Sequence, residues 1–277
     1  MSLPEFSAEW LALREPVDHR SRADELVPIL REEWQRCGWE RIVDLGCGTG
    51  SNLRYLAPKL PGFQRWILVD HDARLLDRVS IPNQNIRVTK VKGVLSQEGL
   101  VFVSEADVVT CAALLDLVDE AWLKKLVSAC SLRRSAAYFV LSYDGTMKWS
   151  HPDHGNIDAN RDDLMIQSTI NDHQQRRIAT TKALGPTASL VTERLFKEAG
   201  YRTWRMSSQW RLGVDDRQLA HQLIDGWERA ALEFHGQSDR QKRIREWAKR
   251  KRRLLQREFL LQIGHQDLLV MPEIEFR

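Results

Sequence analysis

The chain lacks most features that mark a special environment. Its four cysteines, Cys37, Cys47, Cys111 and Cys130, are scattered over 277 residues without a C-x-x-C pair. That excludes a disulfide framework and fits reduced thiols. His151, His154 and His173 follow no recognised ligand spacing, so no metal is expected. No apolar run is long enough to span a bilayer, so no membrane partner is expected. Residues 1–6 have neither a basic start nor an apolar stretch, so no signal peptide is expected and the chain reads as cytoplasmic. A large excess of one charge is missing too, the net charge being +3. What is present is a 43% apolar content, enough for a sizeable core and against disorder. The length suits one large α/β domain with insertions.

One stretch organises the rest. Arg41 to Leu45 is an apolar run that reads as a buried parallel strand. Gly46, Gly48 and Gly50 then turn the chain, and Leu53, Leu56, Ala57 and Leu60 mark one face of a helix closed by Pro61-Gly62. Strand, glycine turn and helix make the front half of a Rossmann-type nucleotide site. A dinucleotide fingerprint would read G-x-G-x-x-G. Here the spacing is G-x-G-x-G, and Asp44 ends the strand. A carboxylate there suits a cationic ligand end better than a pyrophosphate.

The run Asp44-Leu45-Gly46-Cys47-Gly48-Thr49-Gly50 resembles the S-adenosylmethionine (SAM) motif of class I methyltransferases. The resemblance covers roughly residues 40–142 and 187–272. It implies a doubly wound, mostly parallel seven-stranded α/β sheet with an antiparallel last strand, an N-terminal helical cap and helical insertions. The cap is expected at residues 1–40 and the SAM domain at 41–277, with insertions at about 143–186 and 208–263. The resemblance places Asp44, Gly46, Cys47, Gly48 and Gly50 at the cofactor. Asp70, ending the strand Trp66–Asp70, is assigned to the two ribose hydroxyls, since a carboxylate accepts from both. Asp72 is its rival and better suits the N-cap of the helix Ala73–Val79. His71 lies between them. After the third strand, Ile86–Val91, the family's acid–apolar pair is replaced by Lys92-Gly93-Val94-Leu95. Main-chain N–H groups at Gly93 or Val94 are the remaining adenine candidates. Cys111 and Ala112 leave the fourth strand at the cofactor.

Acceptor-side candidates carry less specific signals. Asp116 follows the fourth strand and either faces the crevice or caps the next turn. Tyr143 follows the fifth strand, Ser135–Ser142. His173 and Gln174 sit in a dense polar cluster of the first insertion, expected to act as a substrate lid. Arg14 ends a first N-terminal helix, expected to break at Pro16, and is a candidate to face the site. Tyr143, His173 and Asp116 are the candidates for orientation or proton removal.

Towards the C-terminus two helices are expected, Asp216–Phe234 and Asp239–Ile263, the second stopped by Gly264 before a last strand Gly264–Pro272. Between Asp239 and Arg257 ten Lys/Arg face two acids. These charges raise the alternative of an RNA methyltransferase tracking phosphates. An amphipathic helix needs a charged outer face in any case. No RNA-binding module is visible, and no Asn-Pro-Pro-Tyr-like tetrapeptide follows the fourth strand. The preferred reading is SAM-dependent methylation of a small-molecule acceptor. A non-catalytic SAM-fold scaffold is the reading from another class.

Overall fold

The computed structural model describes residues 6–82, 84–95, 100–151, 155–156, 161–175, 177–178, 181–234 and 238–273. The chain begins with α1 (Ala8–Ser21), whose N-cap Ser7 Oγ accepts from the Trp10 N–H at 3.1 Å. Contrary to the expected break, α1 runs through Pro16. The proline forfeits one helical hydrogen bond, while Val17 and Asp18 just beyond it are buried and hold the next turn in place. Next come α2 (Leu26–Cys37), β1 (Arg41–Leu45), α3 (Ser51–Leu56), β2 (Gln64–Asp70), α4 (Ala73–Asp77) and β3 (Ile86–Lys92). They are followed by α5 (Leu100–Val103), β4 (Val108–Ala112), α6 (Glu120–Arg133) and β5 (Ala136–His151). The rest comprises β6 (Gly155–Asn156), α7 (Arg161–Gln174), β7 (Arg177–Ile178), β8 (Thr181–Lys182), α8 (Ala188–Glu198), β9 (Tyr201–Ser207), β10 (Trp210–Leu212), α9 (Arg217–Phe234), α10 (Ser238–Leu254) and β11 (Leu260–Pro272).

Nine strands form one sheet in the order β10-β11-β5-β4-β1-β2-β3, with β9 also on β11 and β6 on β5. Strands β1 to β5 pair in parallel, and β11 runs antiparallel to β5 and to β9. This is the expected doubly wound sheet with β10 and β6 added. Alternate residues of the central strands feed two cores. Ile42, Trp66, Leu68 and Tyr138 lie on the side covered by α2, α7, α9 and α10. Val43, Val69, Val109 and Phe139 lie on the side covered by α6 and α8. Buried both ways, these strands read as near-continuous apolar runs.

Two boundaries differ from the sequence expectation. β5 does not stop at Ser142 but continues to His151, and β11 begins at Leu260, four residues before Gly264. The two strands therefore extend past the parallel sheet as an antiparallel ribbon, Tyr143–Ser150 against Leu260–His265. The helix expected to reach Ile263 ends at Leu254. Leu254, Leu255 and Phe259 extend the helical spacing, but Phe259, Leu261 and Ile263 alternate at the strand period, and strand pairing with β5 follows that alternation. Helices α7 and α10 interlock through Asp163 of α7. This buried carboxylate accepts from Trp247 Nε1 at 2.6 Å and pairs with Lys251 Nζ at 2.8 Å, both on α10. Among the described residues no helix is long and apolar enough to cross a membrane.

Removing one partner of a buried ion pair leaves an uncompensated charge. Asp163→Ala is therefore expected to destabilise the protein by about 3–5 kcal/mol in denaturant titration. Asp162→Ala, whose partners Arg243 and Arg250 are exposed, is expected to change stability by less than about 1 kcal/mol.

Candidate functional site

The site forms where β1, β2 and β4 end. The Gly46 and Cys47 N–H groups donate to the Val69 carbonyl at 2.9 and 3.1 Å, laying the glycine turn across the end of β2. Gly46, Gly48 and Gly50 have φ of 66°, 55° and 83°, where a side chain is strained. At Gly48 a Cβ would also stand 3.0 Å from Leu11 of α1, so the turn and the cap meet there. The Gly48 N–H donates to Asp70 Oδ2 at 2.8 Å, and the Asp72 N–H donates to Oδ1 at 2.9 Å. Asp70 is thus buried and fixed by main chain, each oxygen keeping a further lone pair. His71 Nδ1 lies 3.3 Å from Asp70 Oδ1.

Asp72 has the other role foreseen for it. It N-caps α4, accepting from the Arg74 N–H at 2.9 Å. The Arg74 side chain pairs with it at 2.7 Å and holds its carboxyl down to about 2.

Asp44 is fully buried. Its Oδ1 accepts from Asn52 Nδ2 at 3.2 Å, while Oδ2 has no hydrogen-bond partner among the described residues. Desolvation pushes its pKa up to about 7, Asn52 and Arg22 opposing the rise and Asp70 adding to it. A buried carboxylate with one orphan oxygen beside a glycine turn is a receptor for a cationic donor. The ammonium of a SAM methionine end meets that requirement, and the residues present fit the cofactor.

The cleft between this turn and α1 encloses about 940 Å³, counting the space open to solvent. Asp44, Gly46, Cys47, Gly48, Asp70, His71 and Ala112 line it, as foreseen from sequence. Arg14 lines it from α1, as do Leu11 and Asp18. Gly50 acts from behind, where a Cβ would meet Val79 at 3.1 Å. The cap is tied down at several points. Arg54 pairs with Glu15 at 2.5 Å, His19 Nε2 lies 3.0 Å from Ser51 Oγ, and Arg20 pairs with Asp216 at 2.6 Å.

On the β4 side, Asp116 is buried with its Oδ1 unpartnered among the described residues. Burial raises its pKa to about 6, against a backbone hydrogen bond at Asp116 and the weaker pull of Arg14. Arg14 is held by Asp18 at 2.9 and 3.2 Å and lies 5.0 Å from the centre of the Trp210 ring. Trp210 stands 4.9 Å from His265, and His265 6.1 Å from Tyr143, centre to centre. Tyr143 donates to Asn171 Oδ1 at 3.1 Å. Burial pushes the Tyr143 pKa up, and Asp144 and then Asp116 add to the rise.

Other expectations are corrected. The Gly93 N–H donates to the Asp70 carbonyl at 3.0 Å, which removes it as an adenine donor. Neither Gly93 nor Val94 is among the described residues lining the cleft, and Leu95 lines it instead. Cys111 points into the core, its thiol pushed up by burial, because alternate residues of β4 face opposite sides. His173 pairs with Glu233 of α9 at 3.4 Å, away from the cleft. Helix α7 presents that turn to α9, so the polar cluster ties helices together. Gln174 is half-buried with Oε1 unpartnered among the described residues, and it too lies outside the cleft lining. His154 and Arg176 lie outside the described residues, as does the side chain of His151. Sequence reasoning missed Asn52 and Leu114, which line the cleft. Asn52 adjoins the glycine motif and was legible as a polar residue opening a helix. Trp210 of β10 and His265 of β11 are buried beside Arg14 and Tyr143 and are not among the residues lining the cleft. Among the described residues, no group of three or more His, Cys, Asp or Glu is placed to hold a metal ion.

Residues 42–132 match the model of a family described as a methyltransferase domain. No curated protein matches the chain by sequence. A cyclopropane-fatty-acyl-phospholipid synthase-like protein from Lactobacillus casei is similar in structure, with a TM-score of 0.54 at 13% identity over 98% of this chain and 96% of that one. That likeness is one of fold. The YcgJ protein from Bacillus subtilis aligns with a TM-score of 0.44 at 12% identity, over 85% of this chain and 93% of that one. A phosphoethanolamine N-methyltransferase from Haemonchus contortus, solved with S-adenosylhomocysteine, aligns at 0.40 and 12%, over 97% of this chain and 59% of that one.

Two outcomes follow for the cofactor side. A ligand ammonium beside Asp44 favours the ionised carboxyl, so binding releases a proton below the free-state pKa near 7. Affinity for S-adenosylhomocysteine, measured by calorimetry, should rise as pH goes from 5.5 to 8. Asp44→Asn should bind more weakly and remove that slope. Asp70→Ala should weaken SAM at least tenfold, since each hydrogen bond to a charged acceptor is worth roughly 1.5–3 kcal/mol. Asp72→Ala should instead cost about 1 kcal/mol of stability through the lost cap, with little change in affinity.

Proposed function

We propose that this chain, whose residues 42–132 match a methyltransferase domain and whose SAM-binding domain spans residues 41–277, passes the methyl group of SAM to a small-molecule acceptor in the cytoplasm. SAM supplies an electrophilic methyl group on a sulfonium sulfur. The chain's own task is to hold that group, align the acceptor and exclude water; positioning provides much of the rate in such a transfer. Asp44 takes the methionine ammonium, Asp70 the ribose hydroxyls, and Leu75, Leu95 and Leu114 offer apolar surface to the purine. Residues 1–40 act as the cap, and the insertions at about 143–186 and 208–263 build the acceptor side. Arg14, Asp116 and Tyr143 contact the acceptor. The observation that carries the reading is the roof over the cleft: Leu11, Arg14 and Asp18 of α1 lie across it, tied down by Glu15, His19 and Arg20. A roofed chamber suits a compact acceptor rather than a polymer.

The basic helix bears on the RNA alternative. Arg243 and Arg250 pair with Asp162, Lys251 with Asp163, and Arg252 with Asp225 and Glu228. These four of the ten basic side chains are matched by carboxylates of α7 and α9, and so hold few counterions for a nucleic acid to release. They support a packing role for α10. The scaffold alternative predicts S-adenosylhomocysteine binding with no turnover on any acceptor.

Replacing Arg250, Arg252 and Arg253 with Gln is expected to leave methyl transfer within about twofold of wild type. The assay uses labelled SAM with a metabolite extract and, in parallel, total RNA. Strong labelling of RNA by the wild type that vanishes in the triple variant would overturn the small-acceptor reading.

A further inference from the structure

Arg22 follows the last residue of α1, stands outside the segment that matches the methyltransferase family, and is 6% exposed. Its guanidinium is always charged. Among the described residues no carboxylate pairs with it directly. Nη2 donates to Asn52 Oδ1 at 3.2 Å, the Tyr55 ring centre lies 4.9 Å away, and Nε and Nη1 are buried without partners. A buried cation with so few contacts is unfavourable unless it compensates another charge. Two buried carboxylates feel it at one remove, Asp267 of β11 and Asp44 at the cofactor. Asp267 has the Leu141 and Ala23 N–H groups as donors. Asp44 has only the Asn52 amide among the described residues.

That amide has a direction. A guanidinium only donates, so Asn52 turns its oxygen to Arg22 and its NH2 away. The NH2 then meets Asp44 Oδ1 at 3.2 Å and Thr110 Oγ1 at 2.6 Å. The Thr110 hydroxyl spends its own proton on the Tyr138 carbonyl at 2.7 Å, so it can only accept from Asn52. An ionised carboxylate also only accepts, whereas a protonated one would donate to an amide oxygen. The order of donors from Arg22 onward therefore suits the ionised Asp44. No other group facing Asp44 supplies positive charge. Asp70 at the end of β2 repels it, and burial keeps the thiols of Cys47 in the turn and Cys111 in β4 neutral.

We propose that Arg22 is a positioning residue for the cofactor: through the Asn52 amide it holds the Asp44 carboxylate ionised and oriented for the incoming methionine ammonium. This rests on the reading of Asp44 as the partner of that ammonium. The cap segment is then part of the cofactor site as well as a cover over the cleft. Removing Arg22 takes a cation from beside a carboxyl that burial has already raised, so Asp44 keeps its proton to higher pH. The anion that receives the ligand becomes scarcer in acid and is restored in base.

The test titrates S-adenosylhomocysteine by calorimetry, in steps from pH 6 to 8.5, into the wild type and its variants. At each pH the ratio of wild-type to variant affinity cancels the titration of the ligand itself. Arg22→Met is expected to bind about tenfold more weakly at pH 6 and within about twofold of wild type at pH 8.5. Added to Asp44→Asn, Arg22→Met should change affinity by less than about twofold at any pH, because no carboxyl remains to be set. Asn52→Ala breaks the relay and leaves Arg22 facing Asp267, so it should show the same loss on the acid side. It decides the matter if thermal unfolding shows that Arg22→Met does not fold. A loss of equal size at every pH means that Arg22 only supports the structure, and overturns the proposal. So does a loss that persists in the Asp44→Asn background, or an Asn52→Ala affinity unchanged at pH 6. A wild type that binds with no dependence on pH would refute Asp44 as the ammonium's partner, and one that does not bind would refute the cofactor reading; neither resembles the outcomes above.

Discussion

The side-chain amide of Asn52 holds four parts of the chain at one point. Its Nδ2 donates to Asp44 Oδ1 at 3.2 Å and to Thr110 Oγ1 at 2.6 Å, and its Oδ1 accepts from Arg22 Nη2 at 3.2 Å. Asp44 ends β1, Asn52 opens α3, Thr110 lies in β4 and Arg22 closes α1. Thr110 passes the chain of bonds on to the Tyr138 carbonyl of β5 at 2.7 Å. Because an amide offers two donors and one acceptor oxygen in fixed directions, the arrangement sets both the depth of the glycine turn and the seat of the cap. It also leaves Asp44 under-compensated. The cation of Arg22 moderates the desolvation without cancelling it, so the orphan oxygen keeps its affinity for an incoming positive charge.

A second buried carboxylate ties β11 to β5 and to the segment after α1. Asp267 of β11 accepts from the Leu141 N–H at 2.7 Å and from the Ala23 N–H at 3.0 Å. Leu141 has φ of 55°, a conformation that disfavours a bulky side chain. The strand alternation breaks there: Val140 and Leu141 both face the same core. β11 shifts register opposite, between Gln266 and Leu268. Paired irregularities of this kind bend a sheet. The bend carries β5 and β11 outward as the ribbon that presents Tyr143 and His265. Gly264 lets the two strands pass, since a Cβ there would stand 2.0 Å from Asp144 Oδ1.

The cofactor half of the molecule was legible because it is local. Strand, turn, Asp44 and Asp70 fall within thirty residues, and each is required by backbone geometry or ligand charge at its own place. The sheet order followed from the same run. The ribbon was missed because its strand alternation is short, Met147 with Trp149 and Phe259, Leu261 with Ile263, and the helical spacing Leu254, Leu255 and Phe259 runs straight into it. A polar run such as His173-Gln174-Gln175 equally allows a lid or a helix seam, and packing against Glu233 made it a seam. The contrast between Asp70 and Asp72 was legible for a physical reason. An N-cap must sit just before its helix, and only one of the two carboxylates does.

The proposed acceptor side draws on Arg14, Asp116 and Tyr143, from parts of the chain far apart in sequence. A site of that kind is held by tertiary packing alone, so its shape depends on the buried pairs that anchor the elements. Asp163 with Lys251 and Trp247 locks α7 to α10, and Asp18 with Arg14 and Trp210 Nε1 joins the cap to β10. The Asp18–Trp210 bond, 3.1 Å, is the direct link between roof and wall. Opening the cap requires breaking it, together with the Arg20–Asp216 pair on the same side. Displacing the cap would also take Arg14 from the face of Trp210, so the seat of the roof and the position of that ring are set together.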